Sequence, residues 1–333
     1  MIKLTVAIPT YNRNIKAANQ VRQLLEQIGD FCDREIELLV IDNASDTPLE
    51  ASFKEQNIPS HPCLRLVRNP VNVGLSANII RCFEHAQGEW LWLVGDDDEL
   101  LPNALQDVLE VLEKSLPEIV HHKFSVDRAT SSKAHDLTIN SLSEICDHAS
   151  DPWCFSNLLF ITTSVYRRQD FLPYISTAYH WNAAVAPHLV CLFSALRDGK
   201  KARIHPTRIA KVIPAEGAER WNLIRLRMGL QTLAEIEGCE IELHRLFGAL
   251  MQKWYGGWKL PLISILLCLR SNRPRCFWRM WYFRAAASTS FCQSAFQAIL
   301  ALFWAPIGCS KLVRSTVSKL RGTRNDTGGT ARM

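Results

Sequence analysis

Residues 88–102, GEWLWLVGDDDELLP, are the stretch of sequence that decides the fold. An apolar run, WLWLV at 90–94, is followed by Gly95 and then by three consecutive acids, Asp96 to Asp98. Short apolar runs bounded by polar turns are typical of buried strands. In open α/β sheets, ligands bind beyond the carboxyl ends of the strands. The stretch therefore predicts a buried strand that delivers three carboxylates to a ligand-binding edge.

The rest of the first 125 residues alternates similar runs with helical patterns. The further strands are predicted at LTVAI (4–8), ELLVI (37–41), LRLV (64–67) and EIVHHKF (118–124). Helical spacing of apolar residues occurs at Ile15 to Ile28, Leu75 to Ala86 and Ala104 to Leu112. Strands that alternate with helices predict an α/β fold whose mainly parallel sheet is covered by helices on both faces.

The pattern changes after residue 125. Residues 127–150 are polar and lack a long apolar period, which predicts a loop or lid. The run FSNLLFITTSVY at 155–166 predicts another strand, and Ala183 to Leu196 predicts a helix. The remaining chain is predicted to be helical and increasingly apolar, with a frayed polar end from Arg321.

Composition bounds the class of protein. With 333 residues, 47% of them hydrophobic, the chain can bury a sizeable core, which excludes intrinsic disorder, collagen and small disulfide scaffolds as descriptions of the whole. The 11 cysteines contain no C-x-x-C pair, so they are interpreted as reduced thiols of a cytosolic protein. The pattern of a signal peptide is not visible at the start, which agrees with that location.

Charge is distributed unevenly along the chain. Residues 253–333 carry 13 bases and one acid, whereas the first 252 residues carry 25 bases and 32 acids. Trp and Tyr residues are interleaved with the bases of 253–320, as at a lipid headgroup layer. This segment predicts in-plane amphipathic helices on an anionic membrane surface, with a transmembrane span at 285–309 or a helical subdomain as alternatives. A nucleic acid partner is not expected, because no nucleic-acid module is recognisable.

The three acids have two interpretations. Consecutive carboxylates at the end of a buried strand repel each other, so a cation should compensate them. Mg²⁺ or Mn²⁺ would do so while binding a substrate phosphate, because both prefer carboxylate and phosphate oxygens. A solvated acidic turn before a helix is the alternative, since acids interact favourably with the helix dipole. Spacing alone leaves both open.

Polar residues after the first three strands form a second group of candidates. Asp42 follows ELLVI, where a carboxylate can accept from a base or a ribose hydroxyl or can simply close an Asx turn. The turn after the first strand offers an aromatic face for stacking and a guanidinium for phosphate. The segment 72–78 places a glycine before a helix, where backbone can approach a ligand. The candidates in these two segments are Pro9, Thr10, Tyr11, Arg13, Asn72, Gly74 and Asn78.

Taken in order, these segments resemble the family 2 glycosyltransferases, which have the GT-A nucleotide-sugar-binding fold. The resemblance is carried by VAIPTYNR (6–13), LLVIDNASD (38–46), RNPVNVGLSANI (68–79) and GEWLWLVGDDDELLP (88–102). It implies that Pro9, Tyr11 and Asp42 hold the base and ribose and that the acids bind a divalent metal and the donor diphosphate. Many members have Asp-Ser-Asp-Asp where this chain has Gly95 and three acids. Asp97 then matches the metal ligand and Asp96 faces the ribose or diphosphate, with Asp96 and Asp98 also retained as metal ligands because the register is open by one residue.

The resemblance also implies a function and a domain plan. It implies an inverting transfer of sugar from a nucleoside-diphosphate sugar to a hydroxyl of a glycan or lipid-linked acceptor, at the inner face of the plasma membrane, in the synthesis of a surface polysaccharide or glycolipid. The plan places the donor half of a Rossmann-type GT-A domain at 1–125, the acceptor half at 126–215, a basic helical region at 216–320 and a tail at 321–333.

The catalytic base is the weak point of this assignment. Family members usually take it from an acid before a late helix, but YHWNAAVAPHL at 179–189 has no carboxylate. His188 is the candidate base, with His180 as a second, since imidazole can accept a proton near neutral pH. Both could instead be structural. The alternative function is therefore a non-catalytic, membrane-associated scaffold that binds a nucleotide sugar.

Overall fold

A nine-stranded mixed sheet is the central element of the fold. The computed structural model describes residues 2–29, 35–114, 119–125, 136–211, 230 and 232–255, of which 119–125 are described by their backbone. The strands are β1 (Leu4–Thr10), β2 (Ile36–Asp42), β3 (Leu64–Arg68), β4 (Trp90–Leu93), β5 (Glu99–Leu100), β6 (Ile119–Ser125), β7 (Leu137–Ile139), β8 (Ser164–Arg167) and β9 (Ala202–Lys211).

Helices connect these strands. They are α1 (Asn14–Ile28), α2 (Leu49–Glu55), α3 (Leu75–His85), α4 (Ala104–Lys114), α5 (Leu142–Ala149), α6 (Pro152–Leu159), α7 (Arg168–Phe171), α8 (Ile175–His180), α9 (Pro187–Arg197) and α10 (Glu240–Tyr255). The chain divides into two compact units, Met1–Glu242 and Leu243–Met333. The domain boundaries expected from the sequence stay a prediction.

The strand order is β3-β2-β1-β4-β8-β6-β9-β5, with β7 paired to β9. The first four strands of this order are parallel, and β8 is antiparallel to both β4 and β6. Every residue of β1, β2 and β4 is buried, which agrees with their nearly continuous apolar sequences. The predicted α/β class, with a mainly parallel sheet between helices, is confirmed.

Amphipathic helices cover the sheet because their apolar residues recur at helical spacing. Val21, Leu24 and Ile28 of α1 pack with Leu105 and Val108 of α4 in one core cluster. The cluster also contains residues of β1, β2 and β4. The core therefore fixes the strands whose carboxyl ends carry the candidate site.

Three sequence expectations beyond residue 125 are wrong. The predicted strand at 155–166 begins as helix α6, and only Ser164–Arg167 is extended. Asp151 is the N-cap of this helix and Pro152 is its first residue. The Asp151 carboxylate accepts hydrogen bonds from the N–H groups of Trp153 and Cys154, which stabilises the helix. The polar stretch 127–150 contains β7 and α5, the latter capped by Ser141. The chain after 200 is not wholly helical, because β9 spans 202–211.

The basic segment falls largely beyond the described residues. Residues 256–333 lie outside them, so the amphipathic helices and the span at 285–309 stay predictions. Across the ranges that the structure describes, none of the helices has the length and apolar character needed to cross a membrane.

The amino ends of the strands are joined by a buried carboxylate. Glu37 accepts hydrogen bonds from the Thr5 hydroxyl at 2.6 Å, from the Gln87 N–H at 2.9 Å and from Arg65 Nε at 2.7 Å. Gly88 donates its N–H to the same Thr5 hydroxyl at 2.8 Å. A Cβ at position 88 would lie 2.6 Å from the Thr5 backbone nitrogen and 2.8 Å from the Trp90 carbonyl oxygen. Glycine is therefore required where β1 and β4 start side by side.

We expect Gly88→Ala to lower the free energy of unfolding by about 1 to 3 kcal/mol, because the added methyl meets backbone that cannot rotate away. Gly29→Ala is the matched control, since its Cβ would lie 3.5 Å from its nearest neighbour and its backbone is already helical. That control should change stability by less than about 1 kcal/mol. Urea denaturation measures both; equal stability of the two variants would contradict the packing argument.

His188 lies in the core at the start of α9. Its ring is 2% exposed, its Nε2 lies 3.2 Å from the Leu158 carbonyl oxygen of α6, and its Nδ1 has no hydrogen-bond partner among the described residues. Burial lowers the pKa of His188 from 6.5 to about 4. The ring is therefore neutral in the folded protein near pH 7, as expected of a residue that packs two helices together.

This shift makes stability depend on pH. Because the folded pKa lies below the unfolded one, the stabilisation is present above about pH 6.5 and is lost as the pH falls toward about 4. Between about pH 7.5 and pH 5 we expect wild type to lose about 1 to 2 kcal/mol more than His188→Gln, which cannot titrate. Denaturant titrations at both pH values measure the difference. Parallel losses in the two proteins would contradict this assignment.

Candidate functional site

The carboxyl ends of β1, β2 and β4 meet at one edge of the sheet. Thr10 and Asp42 are register partners at the ends of β1 and β2. The Val94 N–H donates to the Ala7 carbonyl at 2.9 Å, which holds the start of the acidic turn against β1. The turn after β1 and the acids after β4 are therefore neighbours, as the topology of parallel strands requires.

Asp96 is the most buried of the three acids, with 6% of its surface exposed. Its Oδ2 accepts a hydrogen bond from the Thr10 hydroxyl at 2.6 Å, and its Oδ1 accepts one from Arg13 Nη1 at 3.0 Å. Burial raises the pKa of Asp96, and the bonds from Thr10 and Arg13 oppose that rise. The carboxylate is held by the β1 turn on both of its oxygens.

Asp97 is the acid that solvent reaches, with 36% of its side chain exposed. Its Oδ2 lies 2.9 Å from Arg13 Nη1 and 3.8 Å from Lys16 Nζ. The same Nη1 atom thus contacts Asp96 and Asp97. The cationic compensation expected for the acids is supplied, at least in part, by two bases at the start of α1.

Asp98 turns to the opposite side. It accepts a hydrogen bond from the Thr162 hydroxyl, and that hydroxyl accepts the Gly95 N–H at 2.9 Å. Burial, together with the charges of Asp97 and Asp96, raises the pKa of Asp98 to about 7, against the lowering effect of the Thr162 bond. A Cβ at position 95 would lie 2.5 Å from Asp98 Oδ2, so the glycine leaves room for this carboxylate.

The donor set suits a divalent cation that also binds phosphate. Asp96 Oδ1 and Asp97 Oδ2 both face the Arg13 Nη1 atom, so two carboxylate oxygens converge on a point where a cationic group already lies. Among the residues that the structure describes, no three His, Cys, Asp or Glu side chains form a group that could hold a metal. Mg²⁺ is usually bound through one or two carboxylates plus substrate phosphates, so the two converging oxygens fit such an ion.

Asp42 is buried against its own turn. Its Oδ1 accepts the Ser45 N–H at 2.8 Å, and Arg68 Nη1 donates to its Oδ2. Arg68 Nη2 also donates to the Ser45 carbonyl at 2.7 Å. These bonds are those of an Asx turn backed by an ion pair, so the Asx alternative weighed in the sequence is present. Arg68, which lies a third exposed beside Asp42, was missed by sequence reasoning.

Tyr11 lies at the rim of the site with 42% of its surface exposed, whereas Pro9 and Thr10 are buried in β1. The turn is fixed by Asn12, which has a φ of 53° and exchanges two hydrogen bonds with Asp46, at 2.8 and 3.1 Å. Asparagine tolerates this left-handed backbone well. The ring of Tyr11 is thus presented to solvent on a turn that β2 holds in place.

The predicted glycine segment forms a network of asparagines. Asn72 Oδ1 accepts from Gly74 N–H at 2.8 Å and from Asn43 Nδ2 at 2.9 Å. Asn78 Oδ1 accepts from Asn69 Nδ2 at 2.9 Å. Gly74 has a φ of 86° at the start of α3, a conformation that favours glycine. Asn72 and Asn78 thus position the loop, and Gly74 makes its turn.

The hydrogen bond of His188 and the ring contact of His180 are made with residues outside the acidic turn. His188 packs in the core between α9 and α6, as described above, and its 2% exposure argues against its reaching an acceptor hydroxyl as the base. His180 is exposed at the end of α8, and its ring meets Trp181 edge-on at 5.1 Å between centroids. The base at His180 stays a prediction.

Thr162 and Lys16 are two further site residues that the sequence analysis did not predict. Thr162 lies 64 residues after Asp98, in a segment predicted as part of a strand, so no local signal connects it to the acids. Lys16 follows Arg13 by three residues, and that spacing places both bases on one side of a helix start. The role of Lys16 beside Arg13 could therefore have been predicted from this spacing.

Comparisons with known proteins agree with this architecture. Residues 5–165 match the model of the glycosyl transferase family 2. A Mycobacterium tuberculosis protein, uncharacterized protein MT1568, is 36% identical over 103 residues, which cover 31% of this chain and 30% of that protein. A Campylobacter jejuni GalNAc(5)-diNAcBac-PP-undecaprenol beta-1,3-glucosyltransferase is 31% identical over 110 residues, or 33% of this chain and 34% of that protein. The matches thus span about a third of these relatives.

Solved structures show the fold. Staphylococcus aureus TarS 1–349 in complex with UDP-GlcNAc superposes with a TM-score of 0.59 at 13% identity, covering 97% of this chain and 92% of that one. The mannosyltransferase PcManGT from Pyrobaculum calidifontis, in complex with GDP-Man and Mn²⁺, gives a TM-score of 0.54 at 16% identity, covering 95% and 83%. Residues 5–165, which include the acidic turn after β4, are thus the part of the chain that matches the glycosyl transferase family 2.

Proposed function

We propose that this chain is an inverting glycosyltransferase that moves a sugar from a nucleoside-diphosphate sugar to a hydroxyl of a glycan or lipid-linked acceptor. One observation carries the proposal: Thr10 at the end of β1 and Arg13 in the following turn bind the acids after β4 directly. This contact builds a charged, polar site at the sheet edge where α/β folds bind nucleotides.

The residues of this site match the parts of a nucleotide sugar. The exposed face of Tyr11 suits stacking on a base, and the Asp42 turn lies at the register position next to it. Arg13 and Lys16 supply two cations for a diphosphate. Positioning the donor in this way accounts for much of what a transferase must do, since orientation alone contributes a large share of rate enhancement.

Asp96 and Asp97 would hold the Mg²⁺ or Mn²⁺ that the family implies, with Asp98 as a third candidate. When bound, such an ion stabilises the negative charge that grows on the leaving diphosphate. The chain's own contribution is to keep the carboxylates oriented: Thr10 holds Asp96, and Thr162 with Gly95 holds Asp98.

Donor and acceptor are proposed from chemistry and from relatives. The structural neighbours are described in complex with UDP-GlcNAc or GDP-Man, and one relative is named as acting on an undecaprenol-linked glycan. We propose a nucleoside-diphosphate hexose donor and a role in surface polysaccharide or glycolipid synthesis. The basic segment 253–320 supports a peripheral position at the inner face of the plasma membrane, since its bases would attract anionic lipid.

A second candidate function has its own support. His188, the first candidate base, is buried in the core, and the stretch 179–189 has no carboxylate. A nucleotide-sugar-binding scaffold needs no base. Metal-dependent binding of donor without hydrolysis or transfer to any acceptor would favour it over the enzyme.

We expect Asp97→Asn to weaken Mn²⁺-dependent binding of a nucleoside diphosphate by roughly tenfold or more, because it removes the carboxylate charge that solvent reaches. Turnover of the donor should fall at least about 10²-fold. Calorimetric titration with UDP and with GDP, each with and without Mn²⁺, measures the first effect. Hydrolysis of UDP-glucose, UDP-N-acetylglucosamine and GDP-mannose measures the second.

Asp107→Asn on α4 is the matched control for the acid-to-amide change and should leave both quantities near those of wild type. Thermal denaturation of each variant checks that the fold is kept. Unchanged Mn²⁺ dependence in Asp97→Asn would remove this residue from the metal site. Wild type that binds neither diphosphate under any condition would remove the proposed function itself.

Membrane binding can be tested on the full chain. We expect the triple variant Arg273→Gln, Arg275→Gln, Arg279→Gln to float less with anionic phosphatidylglycerol vesicles than wild type, since each base contributes about 1 kcal/mol near such a surface. The matched control replaces three exposed lysines of the described part, Lys54, Lys114 and Lys201, by Gln. Equal flotation of both triple variants, or flotation with neutral phosphatidylcholine alone, would contradict a basic docking segment.

A further inference from the structure

Arg13 contacts two of the three acids of the candidate site through one atom. A single nitrogen, Nη1, lies 3.0 Å from Asp96 Oδ1 and 2.9 Å from Asp97 Oδ2. Two carboxylates from consecutive residues therefore point at one cationic atom. A divalent ion is often bound through one or two carboxylates, so these two oxygens could serve both the guanidinium and such an ion.

The local charges show why this position matters. Three carboxylates follow β4, and the bases that contact them are Arg13 and, at 3.8 Å from Asp97, Lys16. Asp96 is buried, with 6% of its surface exposed, and its two oxygens are bonded by Thr10 and Arg13. Removing the guanidinium without replacement would leave this carboxylate poorly compensated. A cationic group beside Asp96 and Asp97 therefore stabilises their ionised forms.

The Arg13 guanidinium is more exposed than the Asp96 carboxylate and can therefore change partners more easily than that carboxylate. Asp96 is fixed by Thr10 at 2.6 Å and is 6% exposed, whereas 32% of the Arg13 side chain is exposed. Arg13 also lies at the N-cap of α1, so its long side chain extends from the end of a helix and not from its middle. A diphosphate bound at this edge would offer the guanidinium another anion, with two oxygens in a geometry that suits its fork.

We propose that Arg13 is a built-in counter-ion that competes with the divalent metal for Asp96 Oδ1 and Asp97 Oδ2, and that the donor diphosphate relieves the competition by drawing the guanidinium to itself. The inference rests on the proposed function, because it concerns the metal and diphosphate of the same site. It makes Arg13 a positioning residue that couples the two ligands: metal alone binds weakly, and metal with diphosphate binds tightly.

The test is Mn²⁺ affinity in the absence of nucleotide, measured by the electron paramagnetic resonance signal of free Mn²⁺ on the full chain. We expect Arg13→Gln to bind Mn²⁺ about tenfold or more tightly than wild type, because it removes a positive charge about 3 Å from both ligand oxygens. The gain in Mn²⁺ affinity that UDP or GDP produces in wild type should shrink toward onefold in the variant. Arg13→Lys keeps the charge and should stay close to wild type.

Arg22→Gln is the matched control, since Arg22 is a second arginine of α1 whose guanidinium bonds Asn19 and the Gln56 carbonyl. It should leave Mn²⁺ affinity unchanged. Lys16→Gln keeps the proposal falsifiable if Arg13→Gln fails to fold: it removes the more distant cation of Asp97 and should strengthen Mn²⁺ binding less than Arg13→Gln but in the same direction. The rise in melting temperature on adding Mn²⁺ gives a second readout, and it should be larger in Arg13→Gln than in wild type.

The outcomes separate this inference from the proposed function. Equal or weaker Mn²⁺ binding by Arg13→Gln, with intact binding of diphosphate plus Mn²⁺ by wild type, overturns the counter-ion and leaves the transferase standing. Tighter Mn²⁺ binding by the variant, with no diphosphate binding by wild type, supports the competition for the acids and overturns the donor site. Failure of both proteins to bind Mn²⁺, with or without nucleotide, overturns both.

Discussion

The cost of burying the Asp96 carboxylate is the constraint on which the rest of the site depends. A charged group removed from water must be bonded and compensated, or it will be neutralised or excluded. Here the Thr10 hydroxyl and the Arg13 guanidinium bond its two oxygens. Thr10 is the last residue of β1 and Arg13 lies in the turn that follows, so the bonds to this one acid join the ends of two neighbouring strands. The same contacts orient the more exposed Asp97.

Carboxylate charge is compensated differently at the two edges of the parallel sheet. At the amino ends, Glu37 accepts hydrogen bonds from Thr5, Arg65 and the Gln87 N–H, so its oxygens are bonded within the fold. At the carboxyl ends, Asp97 keeps a third of its side chain exposed and is balanced by bases that are themselves partly exposed. A closed network stabilises, whereas an open one can exchange partners with a ligand. The amino edge of the sheet therefore stabilises the fold, whereas the carboxyl edge is suited to binding a ligand.

Much of this arrangement was predictable because it is local. The apolar runs of β1, β2 and β4 predict buried parallel strands, and the topology of such strands brings their polar ends together. Helix α6 was mistaken for a strand because the apolar run at 155–159 carries no clear period, and the Asp151 cap was not weighed against it. Thr162 could not be found, since its bond to Asp98 joins residues 64 apart that come together only through the pairing of β4 with β8. His188 illustrates the opposite error: a residue type suited to catalysis was given a role that its burial argues against.

The departure at Gly95 has a physical explanation in this site. Where many relatives carry a first acid, this chain has a glycine, and the space that a Cβ would need is filled by Asp98 at 2.5 Å. Asp98 can turn there because the Thr162 hydroxyl donates to it and also receives the Gly95 N–H. A side chain at position 95 and the observed Asp98 conformation exclude each other. Asp98 is thus bonded on the Thr162 side of the turn, while Arg13 and Lys16 balance the two acids that face the β1 end.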